Sequence, residues 1–220
     1  MCKQGIDVIF PPSEREVRMI LRTVTVGITM TNCYLVGCEE TREGVVIDPG
    51  GHPDRILKAI EETGLTVRYV LNTHCHFDHM GANADIVEAT GALLALHPAE
   101  LPILQSGGGA RWFGVPIRES PPPDVELHDG DVLEVGRLRF QVLETPGHSP
   151  GHLCLYEPNQ RILVSGDHLL EDITPNISLW SDEANPVKEY LDSLDRIYEL
   201  DVQLVLPGHR RPFRNHRARI

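Results

Sequence analysis

The 220-residue chain contains no run approaching the roughly 20 apolar residues that a membrane span requires. Its first ten residues, Met1 to Phe10, hold no apolar block of the signal-peptide kind, and Asp7 interrupts what hydrophobicity they have. These two absences lead to the expectation of a cytoplasmic protein without a membrane partner. Basic charge is scarce as well: 20 Lys and Arg against 32 Asp and Glu leave a formal charge of −12. Phosphate backbones need a basic surface, so that balance disfavours indiscriminate binding to nucleic acid. There is one local exception, since Arg210, Arg211, Arg214, Arg217 and Arg219 crowd around His216 at the carboxyl end. The five cysteines (Cys2, Cys33, Cys38, Cys75, Cys154) are odd in number and scattered, with no C-x-x-C pair. That excludes a disulfide framework and a four-cysteine zinc site.

What is present suits one large domain with a substantial core. Strands open the chain: Val24–Met30 and Cys33–Val36 around a polar break, then Gly44–Ile47 running into Asp48-Pro49-Gly50-Gly51. Residues 55–63 have helical apolar spacing and stop at Gly64. Val67–Leu71 reads as a buried strand, 82–90 as a helix and 92–96 as a strand. Residues 98–123, with Gly107-Gly108-Gly109, Trp112-Phe113 and Pro121-Pro122-Pro123, read as a long segment with little regular structure, either a connector or a loop over a site. Strands return at 132–135, 138–143, 152–156 and 161–164; a helix follows over 186–200 and a last strand over 202–206. Strands and helices alternating in two halves predict an α/β protein with helices outside a packed pair of sheets.

The chemistry concentrates in His74-Cys75-His76-Phe77-Asp78-His79. On extended backbone His74, His76 and Asp78 share a face and could converge on one point. The adjacent Asp78 and His79 point apart, and Met80-Gly81 is placed for the turn that would bring a second point within reach. Imidazole with carboxylate suits zinc, iron or manganese better than calcium or magnesium. One hexapeptide cannot complete two sites, but three further ligand-type residues stand beside glycines at strand ends: His148 after Gly147, Asp167 after Gly166 and His209 after Gly208.

These four segments together, including Thr145-Pro146-Gly147-His148-Ser149-Pro150-Gly151-His152, resemble the metallo-β-lactamase superfamily from about Thr23 to His209. The resemblance implies a four-layer αββα sandwich with metals at one edge of the two sheets. It implies one divalent metal on His74, His76 and His148, a second on Asp78, His79 and His209, and Asp167 bridging, with zinc first and iron or manganese as other occupants. Asp78 and Asp167 are then the catalytic carboxylates. The implied activity is that of a dinuclear hydrolase, in which a hydroxide shared by the metals attacks an ester, a thioester or a phosphodiester.

Within the superfamily, Asn176-Ile177-Ser178-Leu179-Trp180, Asn185-Pro186 and Gly208-His209-Arg210 with Pro212 resemble the lactamase-β-like branch, some of whose members are endoribonucleases. RNA is therefore a candidate partner that the net charge does not favour. Members of that branch continue into a small winged-helix-like domain. The expectation is a domain over 1–209 and a basic tail over 210–220, which is either the cut-short start of that element or a strip contacting phosphates. The metal motifs are of the glyoxalase II type, although no helical carboxyl-terminal domain of that family is legible. A secreted β-lactamase fits poorly, for want of an export signal. Mononuclear iron persulfide dioxygenases share most of the motifs and form the alternative outside hydrolysis. Around the ligand set, Asp48 and His168 are candidates for supporting contacts, His152 for supporting the His148 loop, and Trp112 and Trp180 for lining a pocket. Cys75 is expected to point away from its histidine neighbours into inert burial.

Overall fold

The computed structural model describes residues 17–181 and 183–220. Six strands form the first sheet in chain order: β1 (Met19–Val26), β2 (Thr31–Cys38), β3 (Glu43–Ile47), β4 (Thr66–Leu71), β5 (Leu93–Leu96) and β6 (Val125–Glu126). The first three are antiparallel, and β3 to β6 run parallel. Five strands form the second sheet: β7 (Val132–Val135), β8 (Leu138–Glu144), β9 (Leu153–Glu157), β10 (Ile162–Gly166) and β11 (Leu204–Pro207). There β7, β8, β9 and β10 are antiparallel in sequence, while β10 and β11 are parallel.

Parallel neighbours require crossover connections, and these are helical. Helix α1 (Pro53–Thr63) joins β3 to β4; the short α2 (Phe77–Met80) and α3 (Asn83–Thr90) join β4 to β5; α4 (Leu101–Gln105) precedes β6; α5 (Pro186–Tyr198) joins β10 to β11; and α6 (His216–Arg219) ends the chain. Three apolar layers follow. Val36, Ile47 and Leu71 of the first sheet meet Phe140, Leu155 and Val164 of the second. Ile56, Ala59 and Ile86 pack on the outer face of the first sheet against Val46 and Val70. Ile197 of α5 covers the outer face of the second with Leu163 and Val205. The architecture is the αββα sandwich. Strand β2, covered on both faces, is buried at all eight positions, whereas β8 alternates buried and exposed residues over its first five positions.

Topology also explains how distant glycine turns meet. Because β9 is antiparallel to both β8 and β10, and β11 is parallel to β10, the carboxyl ends of β8, β10 and β11 lie at one edge. Thr145–His148, Asp167 and Gly208-His209 leave from that edge. Backbone bonds pin the edge to the first sheet: Leu153 N donates to Thr73 O at 2.8 Å and Asn32 N to Gly208 O at 2.7 Å.

Some local expectations shift. The first strand begins earlier, at Met19, and stops at Val26, because 27–30 form a turn in which Gly27 and Met30 take positive φ of 71° and 59°. Segment 98–123 is more ordered than its composition suggests, containing α4 and single 3-10 turns at Pro98–Glu100 and Ala110–Phe113. The residues of the 210–220 tail lie against the domain. Phe213 and Val205 exchange backbone bonds, and His216 is buried. Arg217 donates to the carbonyls of Tyr198, the last residue of α5, and of Leu200 just beyond it, Arg219 to those of Leu170 and Ile173, and Arg211 pairs with Glu171.

Candidate metal centre

The turn that separates the ligand-type residues comes earlier than Met80-Gly81. His76 is the last extended residue (φ −66°, ψ 148°), and α2 begins at Phe77, so Asp78 and His79 already stand on a helical turn. Asp78 is thereby taken out of the alternation with His74 and His76, and it faces a different set of partners. Gly50 makes this possible: a Cβ there would lie 1.5 Å from the Asp78 carbonyl oxygen.

Two groups result. His74, His76 and His148 converge, with Nε2 of His148 3.2 Å from Nε2 of His74 and 3.0 Å from Nδ1 of His76. Asp78, His79 and His209 form the second, with Nε2 of His209 3.3 Å from Oδ2 of Asp78. Asp167 stands between them. Its Oδ2 is 3.7 Å from Nε2 of His148 and 3.4 Å from Nε2 of His209, and its Oδ1 is 3.6 Å from Nε2 of His79.

The donor set fits metal ions. Two nitrogens bound at about 2 Å to one tetrahedral zinc stand about 3.3 Å apart, close to the His148 spacings. Three imidazole nitrogens meeting at one point cannot satisfy one another by hydrogen bonding when the outer nitrogens carry the protons. Nε2 of His79 and Oδ1 of Asp167 are buried with no hydrogen-bond partner among the described residues, a costly arrangement unless a cation completes it.

Protonation follows the same division. Burial, then the neighbouring imidazoles, hold His74 well below the usual histidine range. His76 is lowered to about 4 by burial and by His148. Burial also opposes protonation of His79 and His209, but carboxylates outweigh it: Asp167 and Asp48 raise His79 well above its usual value, and Asp167 and Asp78 raise His209 to about 9. Asp78 and Asp167 move down despite burial, under the influence of His209 and His79. His74 and His76 are thus neutral nitrogen donors, whereas the second group pairs ionised carboxylates with imidazole.

Outer hydrogen bonds fix the rings. Asp48, held at φ 53°, accepts from Thr73 N and Thr73 Oγ1, each at 2.7 Å, and its Oδ2 is 3.0 Å from Nδ1 of His79. With its proton given to Asp48, the Thr73 hydroxyl can only accept from Nδ1 of His74, 3.2 Å away. One carboxylate therefore orients a histidine of each group. Nδ1 of His148 donates to Asn176 O at 2.7 Å, and Thr31 Oγ1 donates to Asp78 Oδ2 at 3.2 Å. His152 accepts from Asp167 N at 3.1 Å and reaches Thr145 Oγ1 at 2.8 Å, so it links the Asp167 turn to the start of the His148 loop.

The remaining candidates lie apart. His168 is buried against Tyr190, its pKa lowered to about 3 by burial. Trp112 is 90% exposed and lines an open cleft with Ser106, Gly109 and Arg111 that includes none of the seven ligand-type residues. Trp180 is half-buried beyond the Asn176 segment. Cys75 turns into the apolar layer under α1, buried, with its thiol pushed up first by burial. Sequence reading did not single out Thr73, Thr31 or Asn176 as supports. Asn176 acts through its carbonyl, which no side-chain pattern signals.

The fold and the site define an αββα protein with a His/Asp metal-binding edge. The chain belongs to the metallo-beta-lactamase superfamily, which residues 26–209 match. It is 35% identical over 195 residues to a hydroxyacylglutathione hydrolase of Polaromonas, covering 87% of this chain and 66% of that protein. It is 32% identical over 155 residues to the mitochondrial persulfide dioxygenase ETHE1 of Mus musculus, covering 69% of this chain and 53% of the relative. Among solved structures, TTHA1623 in a di-iron-bound form superposes with a TM-score of 0.78 at 38% identity, covering 87% of this chain and 93% of that one. The chain thus spans about two thirds of the one curated relative and about half of the other.

Proposed function

We propose that the protein is a dinuclear metallohydrolase cleaving an acyl ester bond, with a thioester as the first substrate class. The observation that carries this reading is Asp167, whose Oδ2 faces both donor groups, through His148 and His209, while its Oδ1 faces His79 of the second. His74, His76 and His148 would hold one divalent metal, Asp78, His79 and His209 the other, and Asp167 would touch both. When bound, such a pair supplies Lewis acidity, lowering the pKa of water and polarising a carbonyl. Everything else falls to the chain. Asp48, Thr73 and Asn176 keep imidazole protons on the outer nitrogens, so that lone pairs face inward. Asp78 and Asp167 stay ionised at neutral pH and offset the charge of two cations. No serine or cysteine nucleophile is required, and Cys75 faces away.

The thioester preference rests on the hydroxyacylglutathione hydrolase relative, and the metal remains zinc, iron or manganese. A phosphodiester or single-stranded RNA is the other hydrolytic substrate to compare. The reading outside hydrolysis is a mononuclear iron persulfide dioxygenase, supported by the mouse relative. Protein purified without added metal should carry close to two equivalents and hydrolyse a hydroxyacylglutathione thioester faster than a phosphodiester or RNA. One iron per chain with oxygen uptake on glutathione persulfide would overturn the hydrolase reading.

A further inference from the structure

Glu100 is a carboxylate with no solvent exposure and no place in the donor set. It closes the 3-10 turn Pro98–Glu100, just after β5. Its Oε2 accepts from Cys75 N at 2.8 Å, and its Oε1 accepts from Gly151 N, also at 2.8 Å. Cys75 is the residue between His74 and His76, and Gly151 lies three residues after His148. One buried carboxylate therefore ties together, backbone to backbone, the two segments that supply the three-histidine group.

The surroundings are built to keep it there. Nδ1 of His97 accepts from Ala99 N at 3.1 Å, which sets the turn, and its Nε2 stands 3.0 Å from Oε1 of Glu144 on the second sheet. A Cβ at Gly151 would lie 2.6 Å from Nδ1 of His97 and 3.0 Å from Cγ of Glu100, so only glycine lets the His148 loop come this close. Both N–H groups donate, so the bridging group must offer two acceptors. A carboxylate does, and an amide has only one.

We propose that Glu100 is a positioning residue for metal binding: its carboxylate sets the spacing between His148 and the His74/His76 pair, and so the affinity of the three-histidine site. This rests on the reading of that group as a metal site. Partners of this kind around metal ligands typically account for roughly 10–100-fold in affinity or activity.

The test is zinc competition against a chromophoric chelator, run on wild type, Glu100→Gln and Glu100→Asp. Wild type should hold two zinc ions; Glu100→Gln should release one of them at about 10–100-fold lower chelator concentration, while the other is held as before. The kcat should fall with KM little changed. Glu100→Asp, which keeps the charge on a shorter stem, serves as the measured variant should Glu100→Gln not fold, and the same selective loss is expected. Two zinc ions held as tightly as in wild type, whatever the melting temperature, would reduce Glu100 to a fold-stabilising role and overturn the proposal alone. Wild type that binds no zinc, iron or manganese would overturn the metal reading itself, and the proposal with it.

Discussion

Oδ2 of Asp48 stands 3.0 Å from Nδ1 of His79, across a parallel strand pair and 31 residues apart in sequence. Through Thr73 the same carboxylate also reaches His74, in the other donor group. Asp48→Ala should therefore weaken both metals, by about 10–100-fold each, in contrast to the one-site loss expected at Glu100. Equilibrium dialysis with zinc measures this, and selective loss from one group would disprove the shared role.

Asp167 gives a sharper outcome. Asp167→Ala should abolish hydrolysis and leave roughly one tightly held equivalent of metal, since its Oδ2 stands close to a histidine of each group. Full activity with two metals retained would rule out a bridging position.

Gly208→Ala changes no ligand, yet the new Cβ would lie 2.3 Å from Oδ1 of Asp167 and 2.8 Å from Cε1 of His79. Both side chains must move, and displacements of about 1 Å at such a centre cost on the order of 100-fold in rate. The variant should fold, by circular dichroism, and be slowed to that extent; a kcat within threefold of wild type would show that the edge yields more easily than its packing implies.

Arg217 donates to Tyr198 O and Leu200 O where α5 ends, and its guanidinium lies 5.6 Å from the centroid of the Tyr198 ring. Arg217→Ala should lower stability by about 0.5–1.5 kcal/mol, a drop of a few degrees in melting temperature for a chain of this size, with hydrolysis unchanged. Unaltered melting would mean that these carbonyls are equally well served by water.

Two of the buried thiols should be silent in the native state. Cys154 is pushed up to about 12 by burial, and Cys33 is raised well above its usual range for the same reason. At pH 8 neither thiol is ionised, so a thiolate-directed reagent should label them only after unfolding. Rapid native labelling of Cys154, located by mass spectrometry, would contradict its burial.

Much of this was legible in the chain because it is local. His74, His76, Asp78 and His79 declare themselves by type and spacing, and Gly147, Gly166 and Gly208 mark where ligand-type residues leave strands. Segment 24–30 misled because its apolar residues continue past Gly27, where a positive φ ends the strand. Glu100 left no such mark. In sequence it is one acidic residue after His97-Pro98-Ala99, indistinguishable from a solvated one. Its importance comes from two N–H groups that are 25 residues before it and 51 after it.

The sequence by itself determined the metal-binding character of the site and the layered fold, since residue type and hydrophobic period act over a few positions and carry their meaning with them. Residue type and spacing left open which histidines share a group and where Asp167 stands, which only the resemblance implied; the tertiary structure brings them together and alone places the turn at Phe77. Those follow from the parallel alignment of β8, β10 and β11, which brings three strand ends to one edge. Strand direction in a sheet is fixed by contacts between distant segments, and no local pattern records it.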